Sequence, residues 1–200
     1  MGSKLQHLLS PTPPDTLYHY TSGAGIKGIV GSLSLQATML HYLNDAREFK
    51  HGLSVAQSAL RHRGQRDSNV THQELLSSLA DALDRIEHLQ ICVFCLSEEE
   101  DLLSQWRSYC PPEGGYALGF HIPTLIDRLA DNQGLRLLKC TYDPILQRAA
   151  VDELLNEILP GHFSALGSGV PCKEVVEAAL AMFISKFSLV AATFKHPSFS

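Results

Sequence analysis

Apolar positions along this chain fall into two rhythms, one of period two and one near 3.6, and the alternation between them predicts the order of elements. Residues 17–21, Leu17-Tyr18-His19-Tyr20-Thr21, are aromatic and β-branched and predict a short strand. Ser22 then caps a small helix through Ile26, Ile29 and Val30, which Gly31 is placed to end. A second strand is expected over 33–39. After the turn Tyr42-Leu43-Asn44-Asp45, the residues Phe49, Leu53, Ala56 and Leu60 share one face of a longer helix.

Polar residues 64–70 read as a loop, and Thr71-x-x-Glu74 has the spacing of a capping box ahead of Leu75, Leu79, Leu83 and Ile86. The apolar run 90–96 predicts a buried strand. Ser97 with Glu100 offers a second capping box, with acids at 98–101 suiting a helix N-terminus, and the helix it would open carries Leu102, Leu103, Trp106 and Tyr109. Pro111 to Gly115 breaks that helix, and residues 116–122 predict another buried strand. A helix over 123–130, a strand over 135–142, a helix capped by Asp143 with Pro144 in its first turn, and a long amphipathic helix over 173–194 complete the chain. Residues 1–15, ending in Pro11-Thr12-Pro13-Pro14, predict an extended leader, and 16–200 a single α+β domain with a mixed sheet flanked by helices.

Composition narrows the class. Hydrophobic residues make up 44% of 200, enough for one sizeable core. The formal net charge is −5, without a dense Lys/Arg stripe, so the chain does not advertise a grip on nucleic acid. The short run Arg61, His62, Arg63, Arg66 has two readings, a phosphate-touching patch or a solvated helix end whose cations suit the dipole. No membrane-spanning run and no signal-peptide order is evident, and five irregularly spaced cysteines fit a reducing, cytoplasmic setting. Cys92 and Cys95 have metal-site spacing, but on a strand they point to opposite faces, so they read as core residues and no metal site is assigned.

Several segments carry a resemblance: Leu17 to Ser22, Tyr42 to Asp45 with Glu48, Phe94 to Ser97, Trp106 to Tyr109, and Gly115 to Phe120. In that order, across about 100 residues, they resemble the bacterial domain-of-unknown-function family 2971. The final Phe194 to Phe199 is similar to the segment that in the family leads into an acidic strand, and the chain reaches Ser200 before any such strand. More loosely, the chain resembles the ADP-ribosyltransferase fold of the His-Tyr-Glu type, in which a first-strand histidine followed by a small helix holds the ribose of NAD.

That resemblance implies an NAD-binding ADP-ribosyltransferase-like domain, a toxin or defence effector, with His19, Tyr20 and Glu48 in catalytic roles. His19, Thr21, Ser22, Tyr42, Asn44, Ser97, Trp106 and Tyr109 would line the nucleotide site, with NAD as substrate and a small-molecule nucleotide as partner. Breaking the nicotinamide–ribose bond builds positive charge on the sugar, so a carboxylate is needed there. The family's late-strand glutamate has no clear counterpart, leaving Glu48 or Glu113 to substitute. The alternative is a non-catalytic nucleotide-binding or protein-interaction module of the same fold. Each residue also has a plainer reading: His19 bonded to backbone, Trp106 and Tyr109 in the core, Asn44 and Asp45 as caps.

Overall fold

The computed structural model describes residues 4–9, 12–40, 46–86, 91–130 and 135–195. The chain is α+β, and it divides into two compact units, each assembled from separate stretches: residues 1–11, 39–91 and 138–200 form one, and 12–38 and 92–137 the other. Among the described residues the strands form two-stranded sheets only, so the expected larger mixed sheet is not seen there.

The first unit is helical: α1 (Lys4–Leu9), α3 (Ala46–Arg66), α4 (Val70–Leu83), α7 (Pro144–Gly167) and α8 (Cys172–Thr193). The expected extended leader is therefore corrected over 4–9. Leu8 is fully buried, and the Leu5 N–H donates to the Glu153 carboxylate at 2.8 Å, so burial of leucine together with an anchored helix start overrides an extended chain. In α4 the buried Leu75, Leu76, Leu79, Ala80 and Leu83 form one stripe at helical spacing. Its cap is Asn69, whose side chain accepts from the N–H groups of Thr71 and His72 at 2.9 and 3.3 Å, so the helix starts before the predicted Thr71. Asp143 does cap α7 as the sequence implies, accepting from Ile145 N–H at 2.8 Å with Pro144 in the first turn.

α8 contributes Phe183, Phe187 and Val190 to the core, with Phe183 and Phe187 stacked at 4.8 Å. By length and composition alone it is also apolar enough to cross a membrane, with a mean hydropathy of 1.8 in its most apolar window. The expected strand over 135–142 reduces to Thr141, which bridges Phe194 in parallel. Gln147, fully buried, ties this junction together: its amide donates to the carbonyls of Thr141 at 2.9 Å and Lys195 at 2.8 Å and accepts from His51 Nε2 at 2.9 Å.

In the second unit, β1 (Thr16–Thr21) and β4 (Tyr116–His121) pair antiparallel, with His19 opposite Leu118 and Thr21 opposite Tyr116. Around them lie α2 (Gly23–Ser32), α5 (Leu103–Tyr109) and α6 (Ile122–Ala130). Ser22 caps α2 as expected, but the helix runs past Gly31 to a left-handed Leu33 with φ of 50°. The strands expected over 33–39 and 90–96 shrink to β2 (Thr38–Met39) and β3 (Cys92–Val93), which pair with each other. Cys92 and Cys95 are exposed, correcting the core reading; a two-residue ladder does not create the two buried faces that a central strand has. Gly115 opens β4 where a Cβ would fall 2.4 Å from Cys110 Cβ, so only glycine fits without a shift.

Candidate functional site

The expected site centres on β1, and strand alternation decides what each of its residues can do. Leu17, His19 and Thr21 point to one face of the β1–β4 ladder, Tyr18 and Tyr20 to the other. His19 lies on its face against Phe94, the rings stacked with centroids 4.3 Å apart and 29° between planes. Phe94 in turn meets Phe120 of β4 edge-on at 6.2 Å. The His19 Nδ1 donates to the Cys95 carbonyl at 3.1 Å. A carbonyl only accepts, so this bond puts the proton on Nδ1 and leaves Nε2 of the neutral ring as an acceptor. Among the described residues Nε2 has no partner.

Ser97 lies beside His19 through the backbone. Tyr18 and Ser97 exchange both N–H to carbonyl bonds at 2.8 Å, which sets this segment antiparallel along the free edge of β1. β1 thus lies between β4 on one side and the Ser97 segment on the other. The bridge also explains why Ser97 does not cap a helix. Held extended, its hydroxyl accepts from Glu99 N–H at 3.2 Å, and α5 begins only at Leu103, with Leu102 as a cap lacking a side-chain bond.

The acids expected at that helix start serve the opposite face instead. The Tyr18 hydroxyl donates to the Glu100 carboxylate at 3.1 Å, and this bond, with the adjacent negative charge, holds the phenol above its usual pKa. Asp101 accepts from Trp106 Nε1 at 2.8 Å. Tyr20 is buried, donates to the Glu99 carbonyl at 2.7 Å, accepts from Leu102 N–H at 2.9 Å, and meets Trp106 edge-on at 4.8 Å. No known protein family, characterised protein or solved structure matches the chain.

The geometry divides the sequence-predicted residues. His19 and Ser97 come together, and Thr21 shares the face of His19. Tyr20 and Trp106 fall on the other face, so they cannot form one wall with His19 or stack a base against it. Thr21 and Ser22 hold local structure: the Thr21 carbonyl accepts from Cys110 Sγ at 3.6 Å, and the Ser22 hydroxyl accepts from Gly25 N–H at 3.1 Å. Tyr109 is half-exposed on α5. Tyr42 and Asn44 lie outside the described residues, as does the Glu48 side chain, although the Glu48 backbone is in α3 of the helical unit. Phe94, which stacks on His19, is the residue that strand pattern alone does not single out.

The bonding of Tyr20 gives a direct expectation. Tyr20→Phe keeps the ring but orphans the Glu99 carbonyl and the Leu102 N–H, and should cost about 1–3 kcal/mol. Trp106, the chain's single tryptophan, packs against that ring and reports the change by fluorescence in a denaturant titration. An unfolding midpoint equal to that of the unaltered protein would contradict this structural role.

Proposed function

We propose that the chain is a nucleotide-binding domain of the ADP-ribosyltransferase type, akin to family 2971, that holds NAD or ADP-ribose through His19 and cleaves NAD slowly if at all. The observation that carries this reading is the fixed tautomer of His19. Nδ1 is committed to the Cys95 carbonyl and Nε2 is left to accept, which suits a ribose hydroxyl as donor. The stack on Phe94 limits ring rotation, so little ordering is required when a ligand arrives.

Binding and chemistry separate on the same evidence of geometry. Cleavage needs a carboxylate that stabilises charge as it develops on the sugar. Among the described residues no carboxylate bonds to His19, and Tyr20, which the resemblance put in a catalytic role, has its hydroxyl taken up at both ends. These two features favour binding over turnover.

Calorimetric titration of NAD and ADP-ribose into the unaltered protein and His19→Ala, matched for melting temperature, tests the reading. Losing the imidazole should weaken binding by about 0.5–3 kcal/mol, or roughly 2- to 150-fold. Equal affinity in both folded proteins would remove His19 from the site. Brisk release of nicotinamide by the unaltered protein would overturn the slow-cleavage half of the proposal, with Glu48 and Glu113 the first carboxylates to substitute.

A further inference from the structure

The basic run at the end of α3 is not used by the proposed nucleotide site, and the helical unit gives it a setting that the sequence alone does not. Arg63 and Arg66 stand one turn apart on α3 and line, with Arg148 of α7, a cleft of about 550 Å³. Its apolar lining comes from Leu76, Leu155 and Phe163. A cationic rim over an apolar floor is a common build for sites that take small organic anions.

Two acids also line the cleft, and both are committed. Asp152 sits between two guanidiniums: its Oδ1 accepts from Arg63 Nε and Nη2 at 3.2 and 3.0 Å, and its Oδ2 from Arg148 Nε at 2.9 Å. The Asp152 carbonyl takes a further bond from Arg63 Nη2 at 2.8 Å. Asp67 accepts from Asn69 N–H at 2.9 Å and pairs with His72 at 3.2 Å, which together hold its carboxyl below the ordinary carboxylate range. One carboxylate thus orients two arginines without exhausting their donors, since a guanidinium has five N–H groups. Arg66 has no ion pair or hydrogen bond among the described residues. In a chain of net charge −5, this cleft keeps cationic donors in excess.

We propose that the α3–α7 cleft binds a phosphate monoester with an apolar body, the phosphate held by Arg66 and by the remaining donors of Arg63 and Arg148, and the body resting on the leucines and Phe163. Three guanidiniums from two helices can engage three peripheral phosphate oxygens, whereas a carboxylate has only two to offer. Asp152 is a positioning residue that fixes the fork of each arginine before the ligand arrives.

The test is calorimetric titration of phenyl phosphate into the full chain, with benzoate as the comparison and with Arg66→Gln, Arg148→Gln and Arg61→Gln as variants. Arg61 pairs loosely with Asp81 and Asp84 at 3.8 and 3.7 Å and does not line the cleft, so it is the control. The expected result is saturable binding of phenyl phosphate that weakens about 3- to 30-fold in Arg66→Gln and Arg148→Gln, is unchanged in Arg61→Gln, and falls with added salt. Arg66 holds no structural bond, so its variant keeps the test meaningful if Arg148→Gln unfolds. Binding unaffected by Arg66→Gln, no saturable binding to the unaltered protein, or tighter binding of benzoate would overturn the proposal. His19→Ala should leave phenyl phosphate binding unchanged, which separates this site from the nucleotide reading.

Discussion

Replacing Gln147 by leucine is expected to destabilise the helical unit by about 2–5 kcal/mol, although the change conserves volume and adds apolar character. The Gln147 side chain is fully buried and meets three partners, the Thr141 and Lys195 carbonyls and His51. Leucine would satisfy none of them. The Thr141 carbonyl keeps a second bond from Lys195 N–H at 3.0 Å, so its loss is the smaller one. The junction that would loosen is the one where Thr141 pairs with the end of α8. Urea unfolding followed by far-ultraviolet circular dichroism checks this, and a midpoint unchanged from that of the unaltered protein would show that water replaces the amide at no cost.

Phe183→Ala should cost about 3–5 kcal/mol, the usual range for removing a fully buried aromatic ring and leaving a cavity. Phe183 has no exposed surface and stacks on Phe187, which itself meets Phe194 edge-on at 6.4 Å. Met182, one residue away and 46% exposed, is the internal comparison: its change to alanine should stay within about 0.5 kcal/mol. The pair also decides how α8 is used. A helix buried in a core shows this contrast in aqueous buffer, whereas a helix that spans a bilayer would leave the protein in need of detergent and would not rank the two positions by burial.

Strong local chemistry made parts of the fold legible. The strands holding His19 and Leu118 were readable because turn residues bound each of them, and α4 because its leucines recur at helical spacing. The segments over 33–39 and 135–142 were not, because β-favouring composition describes a side chain's fit to a pleated surface and says nothing of whether a partner strand is present. Ser97 misled for a related reason. Its capping box is real as a spacing, but pairing with Tyr18 holds the backbone extended, and Glu100 and Asp101 find Tyr18 and Trp106 as partners instead of a helix N-terminus.

In the candidate site, His19 with Ser97 was legible from order along the chain, while grouping His19 with Tyr20 ignored the alternation of a strand. Arg63 and Arg148 could not have been linked from the sequence, since they meet through Asp152, 89 residues from Arg63.

The most direct test of the account is nitrogen-15 NMR of the His19 imidazole during titration with ADP-ribose. In the free protein Nδ1 should carry a proton, because the Cys95 carbonyl accepts from Nδ1. As ADP-ribose binds, the Nε2 resonance should move in the direction of a new hydrogen bond while Nδ1 stays put, and the Nε2 shift should follow the same saturation curve as the calorimetric heat. An Nε2 resonance that does not move while the heat saturates would place the nucleotide elsewhere and contradict the account.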